Sequence, residues 1–406
     1  MDLTYSDADQ AFRAEVRGWL EEHLTGEWAA LRGLGGAGRD HEAHDERLAW
    51  NRLLAEHGWT CVGWPEEYGG RGLSLVQQVI FHEEYARADA PVRVNHLGEE
   101  LLGPTLMAFG TDEQKARFLP RIVAVEELWA QGYSEPDAGS DLANVQTKAR
   151  LDGGEWVIDG QKVWTSNAHF SQWAFVLCRT GGGRTEPGSE RHHGLSFLLV
   201  PLDQEGVEIR PIEQLTGGSE FNEVFLTGAR TPADLVVGEP GEGWKVAMAL
   251  LSFERGVSVL AQVVGFAREL EGVVDLAKGN GAIDDPVLRD RLARLKVELE
   301  VLRFQALRGL SSDAPGGPSI FKLVWANWHK QLGEAAMDVL GADGLTAGAP
   351  SEGGYDLDRW QRLFLFSRAD TIYGGSDEVQ RNILSERVLG LPREPKGSPM
   401  SREAGR

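Results

Sequence analysis

Residues 145–166 read VQTKARLDGGEWVIDGQKVWTS, and the organisation of the whole chain turns on them. Apolar and polar side chains alternate in short runs, Val145 to Leu151, Trp156 to Ile158 and Val163 to Ser166, the period of half-buried strands. Asp152-Gly153-Gly154 and Asp159-Gly160 fall between the runs, where hairpin turns require positive φ. The same period continues in Trp173 to Cys178, Leu195 to Val200, Val207 to Ile212 and Val224 to Leu226. About 110 residues between Leu128 and Val237 are therefore expected to form one β domain, barrel- or sandwich-like.

On both sides the period becomes that of a helix. Upstream, Phe12, Val16, Trp19 and Leu20 form one stripe, followed by Leu48, Leu53 and Leu54, then Leu75, Val79, Ile80 and Tyr85. A shorter piece opens at Asp112 and Gln114, with Thr111 as cap, and is expected to end at Pro120. Downstream, Trp244 to Ala277, Pro286 to Leu310 and Ile320 to Leu340 read as long helices, and a last pair surrounds Gly374-Gly375. The expected fold is multidomain α+β: a helical domain over 1–127, a β domain over 128–240, a four-helix bundle over 241–392 and a polar, fraying tail over 393–406.

That order excludes the alternating pattern of a doubly wound sheet. Gly33, Gly35 and Gly38 satisfy G-x-G-x-x-G, but no strand precedes them, and they read as a loop. His41 and His44 have a metal-like spacing, yet they stand among Arg39, Asp40, Glu42, Asp45 and Glu46, a solvated charge run.

The 406 residues are 42% hydrophobic and 25% charged, the balance of a globular protein. A net charge of −21 repels phosphate backbones and anionic lipid, which argues against nucleic-acid and membrane partners. Two cysteines, Cys61 and Cys178, lie in apolar surroundings and suit buried thiols in a reducing compartment. The first residues carry no signal-peptide pattern and no apolar run has membrane-spanning length, so a cytoplasmic location is expected.

Three places carry candidate chemistry. Gln131 to Asp141 packs small, hydroxylated and turn-prone residues together; Gly139 and Ser140 suit close approach of backbone N–H groups to a phosphate, although an ordinary turn uses the same residue types. Trp164-Thr165-Ser166 places hydroxyls beside an indole, which with Ser134 suits a flat heteroaromatic ring, although a strand Trp also serves in cores. Glu254 has Leu250, Leu251, Val257 and Ser258 one helical turn away on either side. A carboxylate on such a stripe is desolvated and its pKa rises toward neutrality, as a general base requires; a structural pair with an Arg is the alternative.

Together these segments resemble the acyl-CoA dehydrogenase family, from about Phe12 to Arg393. Gly58-Trp59 with Trp64-Pro65-Glu66-Glu67-Tyr68-Gly69-Gly70, and Gly110 with Gln114-Lys115 and Phe118-Leu119-Pro120, are similar to its helical-domain signatures. Ser134-Glu135-Pro136 with Gly139-Ser140-Asp141 resembles its first flavin motif, and Gly160 to Asn167 its second. Ile372 to Arg381 resembles its carboxy-terminal signature.

The resemblance implies FAD, with the isoalloxazine against Trp164, hydrogen-bonded by Ser134, Thr165 and Ser166 and flanked by Gln131 and Tyr133. It implies that Gly139 and Ser140 contact FAD, or Ser140 the CoA phosphates, that Asp338, where a glutamine is usual, and Gly341 bind the cofactor, and that Ser376 and Glu378 hold its adenosine half across a subunit interface. Many members carry a catalytic glutamate directly after the last motif's tyrosine, where this chain has Gly374; one branch instead uses a Glu-Arg pair on the helix after the β domain, matched by Glu254-Arg255. Phe253, Arg255, Tyr373 and Gly375 fall at substrate positions, and the Gly374 N–H at the thioester carbonyl. The arginine-plus-aromatic motif for the FAD pyrophosphate is replaced by Asn280 to Pro286, which leaves that contact unassigned.

The expected activity is α,β-dehydrogenation of an acyl-CoA to a trans-2-enoyl-CoA in lipid degradation, with an electron-transfer flavoprotein or similar acceptor. Alternatives on the same scaffold are an acyl-CoA oxidase or related O₂-using flavoenzyme, and a non-catalytic subunit of a hetero-oligomer. A homotetramer built as a dimer of dimers is the family's usual assembly.

Overall fold

The computed structural model describes residues 5–36, 38–181, 192–253, 258–311, 316–348 and 357–393. The first helices are α1 (Asp7–His23), α2 (His44–Glu56), α3 (Leu75–Arg87), α4 (Gly103–Phe109) and α5 (Asp112–Val123). Capping boxes open α1 at Ser6, α3 at Ser74 and α5 at Thr111, whose hydroxyl accepts from the Gln114 N–H. α5 runs three residues past Pro120, beyond the expected stop. A proline so near a helix end removes only one backbone bond, and buried Phe118, Leu119 and Ile122 hold the last turn.

The strands are β1 (Trp129–Gly132), β2 (Lys148–Asp152), β3 (Glu155–Ser166), β4 (Trp173–Arg179), β5 (Leu195–Pro201), β6 (Val207–Ile212), β7 (Phe221–Pro232) and β8 (Val236–Val237). They form one sheet in the order β6-β7-β3-β2-β4-β5-β8, with β1 parallel to β4. Gly153 and Gly154, at φ 63° and 89°, make the β2–β3 hairpin that the sequence signals. Asp159-Gly160 does not turn. The chain continues through it as β3, pairing with β7 on both sides of a bulge, and Asp159 Oδ1 accepts from the Gly228 N–H at 2.8 Å. A Cβ at Gly160 would stand 2.4 Å from Thr147 Oγ1, so close packing rather than a turn explains that glycine. Val145 to Thr147 precede β2 outside the strand, and β1 is a strand that alternation alone does not reveal.

The helices then return as α6 (Gly243–Phe253), α7 (Ser258–Asn280), α8 (Pro286–Ser311), α9 (Gly317–Leu340), α10 (Arg359–Phe366) and α11 (Asp377–Ile383). The helix expected over Trp244 to Ala277 is thus seen as α6 and α7, with 254–257 outside the described residues, as are 394–406 of the tail. One core joins helical Leu102, Leu106 and Phe118 to sheet residues Phe175 and Phe197 and to Val246 and Leu250 of α6. A second, with Leu270, Leu299, Trp328 and Trp360, holds the carboxy-terminal bundle together. Gly33, Gly35 and Gly38 all have positive φ in a loop, and His44 stacks on Phe170 with ring centres 3.7 Å apart. Both cysteines are buried free thiols, with that of Cys178 pushed up to about 12 by burial. No helix among the described residues is long and apolar enough to cross a membrane.

Candidate active site

Lys162 lies on the same face of β3 as Ile158, so strand alternation turns its ammonium inward. Its Nζ donates to Glu135 Oε1 at 2.8 Å, to the Leu177 carbonyl at 2.7 Å and to the Tyr133 carbonyl at 3.1 Å, which uses all three N–H bonds. Glu135 also accepts from the backbone N–H groups of Gln146 and Thr147 at 2.6 and 2.8 Å. Burial alone raises the Glu135 pKa, but the Lys162 charge and these hydrogen bonds outweigh it and hold the carboxyl below its ordinary value. A buried pair this fully bonded fixes the 133–138 turn against β3. The Val163 N–H, donating to the Ser134 carbonyl at 2.9 Å, completes the junction.

The next residues leave the sheet's regular pattern. A register shift between Lys162 and Thr165 puts Trp164 in the left-handed region, φ 59°, and leaves it 56% exposed in a strand. Its indole meets Phe221 edge-on, with ring centres 6.1 Å apart. Thr165, by contrast, is fully buried, and its Oγ1 has no hydrogen-bond partner among the described residues. Asn167 Oδ1 is likewise buried without a partner among them. An exposed indole and, on the buried side of the strand, polar atoms without a partner among the described residues are compatible with a flat ring that has polar edges, as FAD has. Gln131, Ser134 and Ser166 are half-buried, Gly132 and Tyr133 buried, and Gly139 and Ser140 exposed.

The other expected residues lie in the bundle, at two places: the 373–378 segment packs against the middle of α9, and Asp338 and Gly341 stand at its end. Tyr373 is 41% exposed, and its hydroxyl donates to Asp370 Oδ1 at 2.7 Å. Gly374 and Gly375 follow at φ 61° and 85°. The Gln380 amide donates to the Gly374 carbonyl at 3.1 Å, and a Cβ at Gly375 would lie 2.5 Å from that nitrogen. Backbone conformation favours glycine at both positions, and at Gly375 the Gln380 amide adds a close approach. Ser376 caps α11, accepting from the Val379 N–H, and Glu378 is exposed beside Arg381. Asp338 pairs with Arg291 of α8 near the end of α9, just before Gly341. In the segment without the pyrophosphate motif, Asn280 Nδ2 donates to the Val339 carbonyl at 2.7 Å. Phe253 is half-buried at the end of α6, whereas Glu254 and Arg255 lie outside the described residues.

Sequence reading named the motifs and missed what holds them. Lys162 and Glu135 stand inside the two flavin-like motifs, and a lysine at an inward strand position signals a buried carboxylate. His329, among the apolar residues of α9, is a second such signal. It bonds to Glu269 and Asp370, 60 and 41 residues away.

Comparison with known proteins gives the same frame. Residues 6–126, 130–228 and 241–389 match the models of the acyl-CoA dehydrogenase N-terminal, middle and C-terminal domains. The chain is 63% identical over 391 residues to the acyl-CoA dehydrogenase IpdE1 of Mycobacterium tuberculosis, covering 96% of this chain and 99% of that protein. Among solved structures, the Tcur3481-Tcur3483 steroid ACAD superposes with a TM-score of 0.82 at 32% identity, covering 97% of this chain and all of that one. The ChsE4-ChsE5 complex from Mycobacterium tuberculosis gives 0.79 at 32% identity, with the same coverage.

Proposed function

The chain belongs to the acyl-CoA dehydrogenase family of FAD-dependent oxidoreductases, and on that premise we propose that it desaturates a ring-bearing, steroid-type acyl-CoA within a hetero-oligomer. The observation that carries this reading is Gly374, a left-handed residue with no side chain at the position where many members carry their base. Its N–H is the group proposed to receive the thioester carbonyl and to stabilise the enolate that forms as the α-proton leaves. Glu254 is the proposed base, supported by its apolar helical stripe and by the Glu254-Arg255 pair.

Without a side chain from the 374 side, volume opens next to the acyl group for branches and rings. Likeness to a steroid ACAD and to a two-component complex supports both the bulky substrate and the mixed assembly.

FAD supplies the acceptor for the β-hydride. Trp164 is proposed to cover its ring, with Ser134, Thr165 and Ser166 at the polar edge and Gln131, Tyr133, Gly139 and Ser140 around it. Ser376, Glu378, Asp338 and Gly341 are proposed to serve the adenosine half, and Phe253, Arg255, Tyr373 and Gly375 the substrate. The two expressions that test the reading are the chain alone and the chain co-expressed with a paralogous acyl-CoA dehydrogenase. Anaerobic bleaching of bound flavin by ring-bearing CoA thioesters, strongest in the co-expressed assembly, is expected. Colourless protein in both forms, or bleaching by straight-chain thioesters alone, contradicts it.

A further inference from the structure

His329 sits in the middle of α9, almost fully buried, with Phe266 of α7 against its ring at 4.6 Å between centres. Its Nδ1 lies 2.5 Å from Asp370 Oδ2 and its Nε2 3.0 Å from Glu269 Oε2. Two carboxylates can accept from one imidazole only when both ring nitrogens carry protons. Asp370 is itself buried, and its other oxygen accepts from the Tyr373 hydroxyl. Its main-chain carbonyl accepts from Lys322 Nζ, which also lies 4.6 Å over the Tyr373 ring. The chain of bonds thus runs from Glu269 on α7, through His329 on α9, to Tyr373, the residue before Gly374.

We propose that His329 is a positioning residue: by donating from both ring nitrogens it locks Asp370, and through Asp370 the Tyr373 hydroxyl, so that the Tyr373-Gly374 turn holds the Gly374 N–H in place. This rests on the reading of Gly374 as the group that binds the thioester carbonyl. The turn is held from two sides, by Asp370 at Tyr373 and by Gln380 at the Gly374 carbonyl. Both glycines have left-handed backbones, which side-chain packing of their own cannot restrain. A donor aimed at a developing enolate oxygen works only if its position is fixed beforehand, and that restraint comes from the neighbours. α7 begins at Ser258, four residues after the proposed base in sequence, so Glu269 ties the turn to the first described element after that base.

The reaction to follow is α-hydrogen exchange, in which the base removes a proton from Cα of the bound thioester and a solvent deuteron returns to the same carbon. Flavin-loaded protein, in the assembly that retains flavin, is incubated anaerobically in D₂O with cyclohexanecarbonyl-CoA, and deuterium uptake is read by mass spectrometry. Thioester affinity is measured in parallel. His329→Gln and Tyr373→Phe should each slow exchange about 10- to 100-fold, by more than either weakens thioester affinity, because a displaced N–H loses enolate stabilisation more than ground-state binding. Their effects should be non-additive in the double variant, since both act through Asp370. Tyr373→Phe removes only a hydroxyl from a half-exposed side chain and carries the test if His329→Gln does not fold. Exchange within about twofold of the parent in Tyr373→Phe, with Gly374→Pro impaired, overturns the positioning role alone. Unimpaired exchange in Gly374→Pro, which has no N–H at this position, overturns the carbonyl reading, and the positioning role with it.

Discussion

Lys162 Nζ stands 2.8 Å from Glu135 Oε1, with both side chains buried, and this pair joins the two sequence motifs proposed to frame the flavin pocket. Glu135 belongs to the 133–141 turn and Lys162 to β3, two residues before the exposed Trp164. The proposed ring platform and the proposed polar turn therefore share one buried electrostatic joint.

Removing one partner of such a pair strands the other charge. Lys162→Met should cost about 3–5 kcal/mol in denaturant unfolding, because Glu135 loses the ammonium that compensates its burial. Flavin content should fall with it. A variant as stable as the parent and still fully yellow would show that the pair does not support the pocket.

His329 makes stability depend on pH in a stated direction. Burial alone lowers its pKa, but Glu269 and Asp370 outweigh burial and raise it from 6.5 to about 10. A folded-state value above the unfolded one contributes stability that is complete below about pH 6.5 and is lost as pH rises toward 10. The stability gap between the parent and His329→Gln should accordingly shrink across that range. A gap independent of pH would contradict the doubly bonded, charged ring, whose surroundings also include Lys322 and Tyr373 on Asp370.

Gly374→Ala should narrow the substrate range before it unfolds the protein. Left-handed φ costs an L-residue roughly 1–2 kcal/mol, a modest part of the stability of a chain this size. A methyl group added beside the acyl pocket should lower kcat/KM for ring-bearing thioesters more than for straight-chain ones, by about tenfold in relative terms. Equal losses for both classes would remove the link between Gly374 and acyl bulk.

The domain order was legible because hydrophobic period is a local property: each change of period along the chain marks a change from helix to sheet or back. Asp159-Gly160 misled the reading because Asp-Gly is locally indistinguishable from a hairpin turn. The approach of Thr147 and the pairing with β7, both set by distant residues, keep it extended. The same limit hid the supports of the site. Trp164, Thr165 and Gly374 are the residues that the motifs name, whereas Glu135 and Lys162 are separated by 27 residues and His329 and Asp370 by 41, so their pairing exists only in the fold.

The most direct test is anaerobic reduction of bound flavin by a ring-bearing acyl-CoA in parent and Glu254→Gln proteins, each purified in the assembly that retains flavin. The amide keeps the carboxylate's shape but cannot accept the α-proton. The account predicts unchanged flavin content and thioester affinity, with the reduction rate down by at least about 10²–10⁴-fold. Near-parental reduction in Glu254→Gln would contradict it and assign the base to another residue.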